Sequence, residues 1–202
     1  MDTPILRLSK AALANVASKD TTRDNLRVMH LENGGAVSTD GHRLIKMPFE
    51  GSHLLTNGES FDIPIDAIEA ARKALKKSDA MEIDLDATRA NGSVSISAGP
   101  VSLKPAKPET EFPKWQQVIP SDRAPFRVGV NPAYLAELSE ILGNWSREHT
   151  KGSACSIALE FQEKDGGIDE FAPIRIVARR IGLTGQDEEA LAVLMPNKVH
   201  PR

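Results

Sequence analysis

The sequence predicts an α+β fold made of three copies of a β-α-β-β-β unit, near residues 3–50, 60–106 and 126–199. Three observations carry that expectation. Short apolar alternations, Leu6-Arg7-Leu8-Ser9, Ile63-Pro64-Ile65-Asp66 and Val128-Gly129-Val130-Asn131, each end on a side chain whose oxygen can accept from the open N–H groups of a helix start. Segments of helical composition follow them: KAALANVAS, AIEAARKALKKSD and PAYLAELSEILGNWSREH. After each one the apolar period drops from helical spacing to two, the mark of a strand with one buried face.

Each element has its own warrant. In the first unit, Leu26 to Leu31 and Ala36-Val37 flank Asn33-Gly34-Gly35, a turn sequence. In the second, Met81 to Leu85 and Val94 to Ser97 alternate, with Asn91-Gly92 expected as the hairpin turn between them. In the third, Pro132 after Asn131 is the favoured first helical residue. Ile157 to Phe161, then Gly166-Gly167, then Ile174 to Ile176 supply its strands, and helices are expected to cover the apolar sheet faces. The segment 104–125 holds five prolines and reads as an extended connector, pinned to the body by Phe112, Trp115 and Val118. The expected organisation is a domain of two units over 1–120 and a half domain of one unit over 121–202.

Bulk properties narrow the function classes. With 40% hydrophobic and 26% charged residues, the composition is that of an ordinary soluble globular protein. A formal charge of -3 and a pI near 6.0 argue against a uniformly basic nucleic-acid binder, unless the Lys and Arg are segregated from the acids. Cys155 is the one cysteine, which excludes an internal disulfide and a cysteine zinc cluster and fits a reducing cytoplasm. No signal-like start and no membrane-length apolar run are present, so the expectation is a cytoplasmic protein away from membranes. No metal or other cofactor is called for.

In order along the chain, several segments resemble the bacterial DNA polymerase III β sliding clamp family. ASKDTTRDNLRVMHLE (17–32) is similar to the stretch entering that family's middle domain, and STDGHRLIKMP (38–48) is close to its ATDGHRLA signature. EFPKWQQVIP (111–120) resembles the close of the same domain; VGVNPAYLAELSEIL (128–142) and AVLMPNKV (192–199) resemble the start and end of the last half domain. The resemblance implies a DNA-clamp fold, with helices lining a ring and sheets outside, and a non-catalytic processivity factor that encircles duplex DNA. A family chain carries six such units and its ring twelve, so three units per chain imply a homotetrameric ring. Two insertions depart from the family: GNWSREHTKG (143–152), which lengthens the third helix, and EKDGGIDEFAP, which lengthens a hairpin.

The densest cluster of chemistry is Asp40-Gly41-His42-Arg43. An acid–base or metal role lacks partners, since no His-x-x-x-His spacing, second carboxylate–histidine cluster or nucleophile elbow occurs. A polar turn remains, with Asp40 accepting backbone N–H bonds and Gly41 supplying a positive φ. The resemblance adds a groove for partner peptides from a DNA polymerase and other proteins with a clamp-binding motif. Carried over by position, it comprises Leu26, Thr39, Gly41, His42, Arg43, Leu44, Pro120, Val193, Met195 and Pro196. Asn197 and Lys198 replace a Met and an Arg common in the family, and Val193 and Met195 also suit ordinary strand core.

For double-stranded DNA the candidates are Arg72, Lys73, Lys76 and Lys77, expected on one side of the second helix, with Lys10, Lys19, Arg23, Arg147 and Lys151. Such a cluster is also what a solvated helix face looks like, and Glu137 and Glu140 make the third helix uneven. Beside the ring stands an alternative: a clamp-like module that does not encircle DNA and sequesters clamp-binding partners.

Overall fold

Leu6 and Leu8 alternate with Arg7 and Ser9 along β1 (Ile5–Ser9), and both leucines are fully buried. Within its own repeat this strand makes only the isolated bridge Arg7–Glu50; its ladder partner lies in the other half. In the computed structural model, which describes residues 4–120, 127–147, 156–181 and 187–197, the chain forms two compact units, Met1–Ile119 and Pro120–Arg202.

The first half of unit one continues with β2 (Val28–Glu32), β3 (Gly35–Thr39) and β4 (Leu44–Met47). The second half runs β5 (Ser60–Pro64), α1 (Ile65–Ala74), β6 (Ala80–Asp84), α2 (Leu85–Asn91), β7 (Ile96–Ala98) and β8 (Val101–Leu103). The two four-stranded sheets have the orders β1-β6-β7-β8 and β4-β3-β2-β5. Each half therefore lends its first strand to the sheet of the other. Leu6 pairs with Ile83 and Leu8 with Met81, while Ile63 pairs with Met29 and Phe61 with Leu31. The four partners Ile83, Met81, Met29 and Leu31 are all buried, so the exchanged strands seal one core. Helix α1 packs on strands of both sheets and buries Ile65, Ile68 and Ala71, the last two in that core.

Several elements differ from the sequence expectation. KAALANVAS is one turn, not a helix: Ala12 N donates to Ser9 Oγ at 3.2 Å and Leu13 N to Ser9 O at 3.1 Å, after which Ser18 N turns to Leu26 O at 2.9 Å. Lys10 extends to cap the end of α1, its Nζ donating to Leu75 O at 2.8 Å. Helix α1 starts one residue before Asp66, which sits in the first turn near Arg27 (3.6 Å) instead of capping, and it ends at Ala74. Asn91-Gly92 is not a hairpin turn but the end of a helix. Asp84 closes β6 and caps α2 through Ala87 N (2.9 Å), and Gly92 supplies the left-handed C-terminal residue at φ 65°.

Two of the three expected pins hold the connector. Phe112 stacks on His30 with ring centroids 4.7 Å apart, and His30 Nδ1 lies 2.7 Å from Asp62 Oδ1. Trp115 is buried, donates Nε1–H to Glu32 Oε2 at 3.3 Å, and carries Lys46 Nζ 4.7 Å over its ring. Val118 is 70% exposed and pins nothing.

Unit two holds α3 (Pro132–Arg147), β9 (Ile157–Glu160), the small hairpin β10 (Glu163–Lys164) and β11 (Gly167–Ile168), β12 (Ile174–Ile181) and β13 (Asp187–Leu194). Asn131 caps α3 as its sequence suggests, accepting from Ala133 N at 2.9 Å. The sheet has the order β13-β12-β9, and α3 lies chiefly on β12 and β13. Leu142, Ile174, Ile176, Ala178 and Leu194 form the core, with Val128, Val130, Leu138 and Trp145 packed against it. Arg180 ties the end of α3 to the sheet by donating to Trp145 O (2.9 Å), lying 4.1 Å from the Trp145 ring and pairing with Glu188 at 2.8 Å. Arg127–Val130 is not a ladder strand; Gly129 makes an isolated antiparallel bridge to Asn197.

Candidate partner groove and DNA-facing surface

In unit one the stretch 39–44 folds into a rigid polar turn between β3 and β4. Asp40 Oδ1 accepts from His42 N and Arg43 N, both at 3.0 Å, and Asp40 Oδ2 accepts from Arg43 Nε at 3.0 Å. The backbone N–H of His42, joined by the N–H and guanidinium of Arg43, holds the Asp40 carboxyl down to about 2. Thr39 Oγ1 donates to Arg43 O at 2.8 Å and accepts from Gly41 N at 3.1 Å, and Gly41 has φ +89°. Asp40 therefore spends both oxygens on organising the turn. His42 reaches it through the backbone N–H, and among the described residues its ring forms no ion pair with Asp40. Nor do three His, Cys, Asp or Glu side chains converge in metal-holding geometry among them.

The loop before β2 flanks this turn. Ser18 N bonds Leu26 O, Leu26 N bonds Arg23 O at 2.9 Å, and a Cβ built on Gly41 would lie 3.3 Å from an Arg23 nitrogen and 3.8 Å from Leu26 Cδ1. Leu26 and Gly41 are thus brought together, with Leu44 half-buried at the start of β4. Arg23, a candidate for the DNA side, stands beside Gly41, 3.7 Å from Asp20. Nothing local in the sequence signals that approach.

The remaining groove residues lie in unit two. Val193 and Met195 are 53% and 60% exposed, so they are not ordinary strand core; Pro196 is half-buried and Pro120 exposed. Leu191, two positions earlier on the same face of β13, is equally open, and the period of two through 191, 193 and 195 is the signal that marks it. Next to this apolar edge the sheet face is an ion-paired lattice: Arg175 with Glu160 (2.8 Å) and Arg179 with Glu189 (3.1 Å).

The cations divide differently from expectation. Arg72 and Lys73 occupy the last turn of α1 and are exposed. Lys76 and Lys77 lie beyond that helix, because Leu75 turns extended at ψ 139°, and Lys76 N donates to Asp79 Oδ2 at 3.1 Å. The exposed face of α1 also carries Asp66 and Glu69, so its charge is acidic at the start and basic at the end. Lys10 is committed to the helix cap, and Lys19 is exposed, its carbonyl accepting from Arg27. In unit two Arg147 ends the described part of α3 and donates to Asn144 Oδ1 at 3.0 Å; Lys151 lies outside the described residues.

Strand-exchanged halves joined by a helix packed on both sheets define the DNA-clamp class of fold. No family model matches the sequence, and no curated protein matches it. Solved structures do. The β sliding clamp of Caulobacter crescentus superposes with a TM-score of 0.61 at 18% identity, over 98% of this chain and 50% of that one. DNA polymerase III subunit beta from Borrelia burgdorferi gives 0.64 at 12% identity, over 98% and 50%. The same subunit from Pseudomonas aeruginosa gives 0.62 at 15% identity, over 98% and 54%. The chain has the fold of the bacterial DNA polymerase III β clamps and spans about half their length.

Proposed function

We propose that the chain is a DNA sliding clamp, a non-catalytic processivity factor that encircles duplex DNA and tethers a DNA polymerase or repair enzyme. The observation that carries this reading is the match of nearly the whole chain to the bacterial β clamps, two of the three named above being polymerase III beta subunits. For short, partly apolar peptides, unit one offers the 39–44 turn with Leu26, and unit two by itself offers the open strand end of Val193, Met195 and Pro196 with Pro120. Leu26 and Leu44 in unit one, and Val193 and Met195 in unit two, offer adaptable apolar contacts, and His42 and Arg43 offer donors to a peptide carbonyl or carboxylate. Arg72 and Lys73, continued past the helix by Lys76 and Lys77, meet phosphates without reading bases, which is what sliding requires. Three repeats per chain close a ring of the family's size when four chains assemble.

The test is retention on DNA. The assembled protein stays on a nicked circle and runs off the same DNA once linearised. Arg72→Glu with Lys73→Glu weakens association and flattens its salt dependence by roughly 0.9 for each phosphate no longer neutralised. Equal retention on circle and line overturns encirclement. The mixed charge of α1 favours a second reading, a module that sequesters clamp-binding partners. It is separated by the same experiment, because a decoy binds the partner peptide and shows no circle preference.

A further inference from the structure

Unit one contains its own demonstration of how two halves close, and unit two presents one half with the same fittings. Strand β1 has two working edges. One makes the isolated bridge Arg7↔Glu50, three residues past the end of β4, with Arg7 N to Glu50 O at 2.9 Å. The other forms the ladder with β6 of the opposite half. In unit two, Gly129 bridges Asn197, three residues past the end of β13, with Asn197 N donating to Gly129 O at 2.7 Å. Arg7 lies two residues before Ser9, and Gly129 two before the capping Asn131. The segment 127–130 is therefore seated as β1 is seated. Among the described residues its outer edge has no ladder, and β9 pairs with β12 alone.

Burial gives the same account independently. Ile83 and Met81, which receive β1, are 0% exposed. Leu159 is on the core face of β9, opposite Ile176, yet is 45% exposed, and Phe161 beyond it is 40% exposed. On α3, Tyr134 and Ile141 sit two turns apart at 59% and 56% exposure. Aligning the buried Ile68 of α1, and Leu75 just past its end, with Leu135 and Leu142 places Ala67 and Ala74 at those two positions, and both pack against the core of unit one.

We propose that unit two pairs with unit two of a second copy by reciprocal strand exchange: 127–130 of each chain adds to the open edge of β9 in the other. The alternation puts Val128 opposite Leu159 and Val130 opposite Ile157, and the same register sets Arg127 opposite Glu160, an opposite-charge pair. A second copy is the fitting occupant because both sides of the exchange, donor strand and acceptor edge, are present on one unit and are self-complementary about a two-fold axis. The pairing rests on the clamp reading for its place in a ring, but not for its existence.

Mass in solution tests it. The 21.9 kDa chain sediments as an even multiple of itself, and Leu159→Lys halves that mass while the circular dichroism spectrum is kept. Leu191→Lys, on the opposite edge of the sheet, leaves the mass unchanged. Hydrogen exchange supplies the second readout: amides in 127–130 and 157–160 are protected at high protein concentration, and lose protection on dilution or in Leu159→Lys. A monomer at all concentrations overturns the pairing, as does an oligomer whose mass and protection ignore Leu159→Lys. If the mass halves as stated but wild-type protein shows no preference for circular DNA, the clamp reading fails and the pairing stands.

Discussion

Trp115→Ala is the perturbation whose cost is most directly worked from the structure. The ring is 9% exposed and lies against Glu32 of β2 and Lys46 of β4 in the sheet β4-β3-β2-β5. Truncating a buried aromatic costs about 3–5 kcal/mol. The lower end applies here, because the site lies at the rim and the connector can settle into part of the vacated space. About 0.5–1 kcal/mol of that is the Lys46 ammonium over the ring, at 4.7 Å. The long 3.3 Å bond to Glu32 adds little. With a urea slope of about 2 kcal/mol/M, a loss of about 3 kcal/mol moves the midpoint of unit one down by about 1.5 M, read by circular dichroism. Trypsin cleavage after Lys114 accelerates in the same variant, because the connector has lost its anchor; Lys104 and Lys107 each precede proline and are not cut. Val118→Ala, by contrast, stays within about 0.5 kcal/mol of wild type. A Trp115→Ala protein within that same margin, and no faster to be cleaved, would refute the anchoring argument.

Two further outcomes follow from the turn and from the Glu59 clamp. Gly41→Ala forces a Cβ into φ +89° and within 3.3 Å of Arg23; it costs about 1–2 kcal/mol of stability in urea melts and weakens capture of a clamp-binding peptide in a titration. Glu59 accepts from Arg89 Nε and a terminal guanidinium nitrogen, both at 2.8 Å, which with Thr56 N holds its carboxyl at about 2 against an ordinary 4.5. A depressed carboxylate stabilises the fold above its unfolded pKa and loses that contribution as pH falls from about 4.5 to 2. Glu59→Gln is therefore about 1 kcal/mol less stable than wild type at pH 7, and the two converge near pH 2.

Alternation makes most strands legible, because Leu6 and Leu8, or Met81 and Ile83, announce which face is buried. It does not announce a neighbour, so the exchange of β1 and β5 between sheets is invisible until register is known. Helix α2 is hidden because Asp84 ends one pattern and starts another: it completes the alternation of β6 and caps the next helix. KAALANVAS has helical composition, but its local bonding stops at Ala14, which donates to Ala11, and Ser18 pairs with Leu26 instead, so long-range pairing overrides propensity. In the turn, Asp40 and Gly41 are legible from local chemistry alone. The approach of Arg23 is not, since proximity made through a folded loop leaves no spacing to read. Lys76 and Lys77 look helical on a wheel, and leave it because Leu75 turns extended to bury its side chain.

The crossed strands of unit one also fix an order of events during synthesis. β1 emerges from the ribosome long before β6, yet Ile5 has no ladder partner until Asp84 is available. The first strand of this unit is thus among its last to be satisfied, and neither half matures alone. Folding of this unit waits on distant contacts, which makes it slow and exposes the Leu6–Leu8 edge to other nascent chains meanwhile.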